Sequence, residues 1–216
     1  MSITLQTYLN DVMRLLHDST NKYWSQAELI DYINKARNLT VAETACTRQL
    51  ATVNILAATQ LSEATYAFSS IITTPTARQV IDVLDILVQR NASSSYQLRF
   101  LPFEDVVRTS LWQSQVSGWT EFYTVYNRNV ILLQWPSQPY PASIFDCVVE
   151  PVPLVNVTDA EADLYMPYTE CVAFYAAYLA KLKDQRRQEA EDFMGDYQRR
   201  KIQAIATAFY RRLTGR

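Results

Sequence analysis

Apolar positions first recur at helical spacing in Leu5, Tyr8, Leu9, Val12, Leu15 and Leu16, behind Thr4 as an N-cap. Asp18–Asn21 is a polar break. Ser25 and Glu28 then form an S-x-x-E capping box, and Trp24 and Leu29 occupy the two positions of a hydrophobic staple. The box satisfies two unpaired amides and the staple sets the angle at which the chain meets the helix. That second helix continues through Leu29, Ile30, Ile33, Ala36, Val41 and Ala42, so residues 1–47 read as an antiparallel helical hairpin.

Near residue 50 the period changes. Runs rich in Val, Ile, Tyr, Phe and Thr at 51–57, 65–68, 79–88, 96–101, 121–126, 130–135 and 144–150 predict strands. Asn127–Asn129 and Asn91–Ser95 read as hairpin loops. One helix is expected near 103–115, with Glu104 and Asp105 at its N-terminus and Val106, Val107, Leu111 and Trp112 on its buried face. From Asp159 the pattern predicts helix again. Pro167 suits a first helical position, Val172, Tyr175, Ala176, Leu179 and Leu182 mark one face, and a break falls near Lys183–Asp184. The second arm carries Ala190, Phe193, Met194, Tyr197, Ile205, Ala208 and Phe209.

The expected class is α+β: a helical bundle from N- and C-terminal helix pairs with an inserted β-rich region carrying one further helix. The boundaries are 1–47 for the first hairpin, 48–158 for the insertion, 159–203 for the second hairpin and 204–216 for a basic C-terminal arm.

Charge changes this picture only at the end. Residues 1–180 carry 10 Lys and Arg against 17 Asp and Glu, whereas residues 181–216 carry 10 against 5. A basic tail on an acidic body suits an acidic partner for that tail. Three Gly in 216 residues leave no Gly-rich phosphate loop, and one His with three Cys fits no standard zinc cluster. Cys46, Cys147 and Cys171 are expected as reduced, buried thiols. Met1–His17 lacks the apolar core of a signal peptide, no apolar run reaches a membrane span, and the chain is expected to be made in a reducing cytoplasm. The N-x-S/T triplets at Asn38, Asn91 and Asn156 therefore carry no meaning.

Candidate chemistry is sparse. Asp82 and Asp85 form a carboxylate pair only on a helix; on a strand, a spacing of three sends them to opposite faces. His17 ends a predicted helix, where a cation complements the dipole, and no orienting partner motif accompanies it. The 14 Tyr read as core and interface aromatics. The stretch Arg199–Lys201 and then Phe209, Tyr210, Arg211, Arg212 and Arg216 combines aromatic and Arg residues, the types enriched at protein-interface hot spots.

Three stretches, in order, resemble the head-to-tail adaptor (connector) proteins of tailed bacteriophages. They are residues 23–37 (YWSQAELIDYINKAR), 101–104 (LPFE), and Pro167–Tyr168 with 175–180 (YAAYLA). The resemblance spans about residues 3–205. It implies a virion structural protein at the head–tail junction: a ring, twelve subunits in the family, beneath the portal protein. Such a ring extends the DNA channel without sequence-specific binding and offers a platform to the downstream tail component. The family's motifs hold no catalytic residue or cofactor, so none is transferred. By position, the portal-docking arm maps after Gln203, onto Phe209, Tyr210, Arg211, Arg212 and Arg216. Within assembly proteins the alternative is a tail-completion or terminator subunit. From other classes come a nucleic-acid-binding regulator using the basic tail and a hydrolase using His17.

Overall fold

The computed structural model describes residues 3–18, 22–58, 60–72, 78–91, 94–109 and 119–214. Among them the fold is mixed α+β. In chain order the elements are α1 (Leu5–Leu16), α2 (Gln26–Thr44), β1 (Arg48–Ile55), β2 (Thr65–Ala67), α3 (Phe68–Ile71), β3 (Val80–Asn91), β4 (Ser94–Gln97), β5 (Arg99–Phe100), α4 (Phe103–Thr109), β6 (Phe122–Tyr126), β7 (Asn129–Leu133), β8 (Tyr140–Val149), α5 (Thr169–Lys183) and α6 (Arg187–Thr214). They divide into two compact units: Met1–Thr47 with Pro151–Arg216, and Arg48–Glu150.

In the helical unit the caps are local and complete. Thr4 caps α1 by a reciprocal box with Thr7. Ser25 Oγ accepts the Glu28 amide at 3.3 Å, and Glu28 accepts the Ser25 amide at 3.2 Å. Trp24 and Leu29, flanking the cap, are both buried. Asp18 sets up this start: its carboxylate accepts the amides of Lys22, Tyr23 and Trp24 at 2.9, 3.0 and 3.4 Å. Burial pushes the Asp18 carboxyl upward, but these amides outweigh it and hold the group below its usual range.

α5 packs on α6, α2 and α1. Its buried positions are mostly small: Cys171, Ala173, Ala176, Ala177 and Ala180, with Val172. Small side chains let neighbouring helices approach closely, and the buried stripe runs through Ala173, Ala176, Ala177 and Ala180; of the expected face, Val172 and Ala176 are buried, Tyr175 and Leu179 half-buried and Leu182 exposed. The helix also starts later than expected. Residues 159–168 are not helical; the segment pairs with the start of α1 instead, Leu5 donating to the Asp159 carbonyl at 2.9 Å and Glu161 to the Ile3 carbonyl at 2.8 Å, while carboxylates take nearby amides. Asp159 accepts from Val155 and Asn156, and Glu161 accepts from Asp163 and Leu164. Pro167 precedes α5 by two residues and lies outside it.

The β unit contains two sheets, ordered β1-β8-β3-β4 and β2-β7-β6-β5. Both contribute to one apolar core: Ile55, Val83, Ile86, Phe145 and Cys147 from the first, Tyr123, Val130 and Leu132 from the second. The single strand expected at 96–101 is two. β4 pairs with β3 and β5 pairs in parallel with β6, while buried Leu98 between them donates its amide to the Ile86 carbonyl at 2.9 Å. Asn127 and Arg128 have φ of 47° and 59° and turn β6 into β7, two left-handed residues being what a tight hairpin of this twist requires. The short helix α3 follows β2 without any sequence signal. α4 ends at Thr109; residues 110–115 of the expected helix lie outside the described residues.

Candidate functional site

The most elaborate polar construction lies in the helical unit and centres on Arg37. Its side chain is 1% exposed, and it meets Glu161, also 1% exposed, with Nε and Nη2 at 2.7 and 2.8 Å from the two carboxylate oxygens. Nη1 donates to the Val152 carbonyl at 2.7 Å and to Asn34 at 3.2 Å. Glu161 also accepts the Tyr8 hydroxyl at 3.0 Å and the amides of Asp163 and Leu164. Asn34 exchanges two bonds with the Leu154 backbone, and Asp163 accepts the Val152 amide at 2.7 Å. The planar guanidinium suits this fork. The bonds from Tyr8, Asn34 and Arg37 to Val152, Leu154 and Glu161 tie α1 and α2 to residues 152–164, so the network is a clasp that fastens the returning chain to the first hairpin.

Its electrostatics follow. Burial pushes the Glu161 carboxyl up, yet Arg37 and the two amides overcome this and leave it below its ordinary 4.5. Unfolding restores the ordinary value. The stabilisation is therefore fully present above about pH 4.5 and is lost as pH falls through the lower folded value. Urea midpoints measured from pH 7 downward are expected to drop in this range. Glu161→Gln is expected to be less stable at pH 7 but to show a shallower fall. Asp18 and Asp159, shifted the same way, leave it some slope. Burial and then Glu161 push the Tyr8 hydroxyl far up, so it stays a donor.

A second cluster fixes α6. Tyr197, fully buried, donates to Glu43 at 2.7 Å, and Lys201 reaches the same oxygen at 2.8 Å. Arg200 pairs with Glu170 at 3.2 Å and lies 4.4 Å from the centre of the Phe174 ring. Lys181, 6% exposed, bonds Glu189 at 2.6 Å and sits 5.7 Å from the Trp24 ring centre. Lys183 pairs with Glu28, so the capping-box carboxylate also ties α2 to α5. Packing of α6 reaches Ala204 and Ala208. The helix has 28 residues against 15 in α5 and continues unbroken through Gln203, so the last residues prolong the hairpin helix without a separating break.

Phe209, Tyr210, Arg211 and Arg212 fall on the closing turns of α6, with their side chains outside what the structure describes; Arg216 lies outside the described residues. His17 caps α1 with a left-handed backbone, φ 54°, and is exposed. Asp82 and Asp85 depart from the expected geometry. β-Bulges between Val80 and Asp82 and between Val83 and Asp85 each add a residue, so Val80, Val83 and Ile86 keep the core face. Asp82 pairs with Val148 and Asp85 with Asp146, positions two apart on β8, which places both carboxylates on one face rather than opposite faces. Asp85 bonds Gln97, and Asp146 bonds Arg48. Among the described residues no group of three or more His, Cys, Asp or Glu is placed to hold a metal ion, and no helix is long and apolar enough to cross a membrane.

Cys147 and Cys171 are buried and Cys46 half-buried. Burial, reinforced by Asp82, pushes the Cys147 thiol up to about 12, and burial followed by Glu170 pushes Cys171 up to about 11. Neither is a thiolate at neutral pH.

Sequence reasoning passed over Glu161, Glu43 and Lys201, because each acts across more than 120 positions of chain. Arg37 was visible only as the end of a motif. An apolar pocket beside α4, lined in part by Phe103, Val106, Thr124 and Leu133, was also unforeseen. No protein-family model matches the chain, and no curated protein is similar to it at a meaningful level.

Proposed function

We propose that the chain is a structural head-to-tail adaptor of a tailed-phage virion. In this reading α1, α2, α5 and α6 form a bundle carrying the β unit as an insertion. Copies assemble into a ring beneath the portal, extend the DNA channel and receive the tail. The end of α6 is the arm that meets the portal.

One observation carries the reading. α6 is nearly twice the length of α5, packs at least as far as Ala208, and carries Phe209, Tyr210, Arg211 and Arg212 on the closing turns of the same helix. Aromatic and Arg residues carried together on a helix are suited to anchoring in another protein. The Arg37 clasp supports the same role, since a rigid helical scaffold presents such an arm without first having to order it.

The test uses purified full-length chain and portal rings of the virus that encodes it. The full chain is expected to co-sediment with the rings. A chain ending at Ala208 is expected to lose that binding at least tenfold while keeping its far-UV circular dichroism and urea midpoint. Arg211→Glu with Arg212→Glu is expected to weaken binding in the intact chain. Unchanged binding by both variants overturns the arm assignment, and failure of the full chain to bind any portal overturns the adaptor reading.

A further inference from the structure

α6 carries a second apolar line on the side away from its packing. Its packed residues Tyr197, Ala204 and Ala208 recur at steps of seven and four. Ile202, Ala206, Phe209 and Leu213 recur at steps of four, three and four on the same helix, which runs to Thr214. At 3.6 residues per turn these four positions fall within roughly 60° of one another, opposite the packed ones. Ile202 is 63% exposed and Ala206 is exposed; Ile205, at the edge of the line, is 42% exposed. One step of three earlier, Arg199 takes the next position and ends the apolar run.

We propose that this line is a docking seam for an amphipathic helix of a partner protein, one whose apolar stripe is flanked by Asp or Glu. The proposal rests on reading the end of α6 as a docking arm, and it names the face and the chemistry by which that arm docks. Spacing selects a helix as the occupant. Alternating steps of three and four hold one narrow seam along a helix and fit the knobs of a facing helix. A helix that lies on a membrane presents a broader apolar face. Charge selects the acidic flanks. Residues 202–216 hold Arg211, Arg212 and Arg216 and no Asp or Glu, so no acidic side chain three or four positions away along α6 answers Arg211 or Arg212. Arg199, Arg200 and Lys201 stand outside this count, because they pair with Asp196, Glu170 and Glu43. Arg212, next to Leu213, occupies a position flanking the seam, where opposite charge on the facing helix sets the choice of partner. A second copy of α6 offers no acid over these residues to meet it.

The probes are two peptides of three heptads with Leu at the a and d positions, one with Glu and the other with Lys at e and g. Each carries a dye and is titrated with the full chain, with fluorescence anisotropy as the readout. The Glu-flanked peptide is expected to bind saturably and about tenfold more tightly than the Lys-flanked one, by a margin that shrinks as salt rises. Ile202→Gln with Leu213→Gln is expected to weaken that binding about tenfold while far-UV circular dichroism and the urea midpoint stay as in the wild type. Thr207→Gln, exposed on the same helix but off the seam, is expected to leave it within about twofold. The proposal is overturned if the Glu-flanked peptide does not bind, if the two peptides bind equally, or if the double variant binds as the wild type does. It is equally overturned if vesicles of equal parts phosphatidylserine and phosphatidylcholine bind the wild type and not the double variant while the Glu-flanked peptide binds neither, which makes the seam a membrane contact. Self-association of the wild type in sedimentation velocity that the double variant loses makes it a contact between copies and overturns the proposal too. Portal rings enter none of these measurements. Failure to bind rings beside intact peptide binding rejects the portal and leaves the seam; the reverse rejects the seam and leaves the arm.

Discussion

Arg37→Met is expected to cost the helical unit about 3–5 kcal/mol, because it leaves Glu161 charged, buried and without its cation. Far-UV circular dichroism against urea measures the loss, since α1, α2, α5 and α6 dominate that signal. The Met side chain fills much of the space, so the loss reports the ion pair and its bonds rather than a void. Arg37→Lys is expected to recover only part of it. A lysine supplies one point of charge and cannot bridge both Glu161 oxygens while also reaching the Val152 carbonyl. Replacing both partners, Arg37→Met with Glu161→Leu, is expected to be less harmful than the two single losses added together, since no charge is then stranded. It does not return to wild-type stability, because the Tyr8 hydroxyl and the amides of Asp163 and Leu164 lose their acceptor. A single Arg37→Met loss below about 1 kcal/mol would mean that the clasp is not what fastens residues 152–164 to the hairpin.

That clasp marks the border between what one sequence discloses and what it does not. The caps at Thr4 and Ser25 were legible because donor and acceptor stand three residues apart. The strands at 79–88, 121–126 and 130–135 were legible because Val, Ile, Tyr, Phe and Thr cluster there, which is a local signal. Glu161 was not, since nothing near it names Arg37, which lies 124 positions away. The same distance turned 159–168 from an expected helix into an irregular return, because its backbone pairs with Ile3 and Leu5, more than 150 positions earlier. α5 was misjudged for a different reason. Its deepest face is the stripe Ala173, Ala176, Ala177 and Ala180, whereas the larger apolar residues that draw the eye, Tyr175, Leu179 and Leu182, are half-buried or exposed.

The bulges in β3 escaped for yet another cause. A period of two predicts opposite faces for Asp82 and Asp85, and each inserted residue moves the count by one. The candidate sites divide in the same way. The basic-aromatic composition of the α6 end was plain in the sequence, while its helical continuity was not, because the Arg-rich run reads equally as arm or helix. The Thr124 pocket was invisible: a Thr between Tyr123 and Val125 is an ordinary strand residue until the fold lines a cavity with it.

Phe145→Ala is expected to be the most damaging truncation in the β unit, at about 3–5 kcal/mol. Phe145 is fully buried on β8, the strand flanked by both β1 and β3, where it faces Ala51 on one side and Ile86 on the other. It also reaches the second sheet, meeting the Tyr66 ring edge-on with centroids 6.2 Å apart. One side chain thus joins three strands of one sheet to a strand of the other, and neighbours held by backbone ladders on both sides of β8 cannot collapse into the void. Leu87→Ala on β3 is the internal control: at 38% exposure it is expected to cost far less, within about 1 kcal/mol. Hydrogen exchange reads the result by region. Protection is expected to fall together across β1, β3, β7 and β8 while amides of α1, α2 and α5 keep theirs, because Phe145 belongs to the core of the Arg48–Glu150 unit and the Arg37 clasp to the other. Equal loss of protection in the helices would show that the two cores unfold as one cooperative body, and the acid transition assigned to Glu161 would then have to move with every core variant of the β unit.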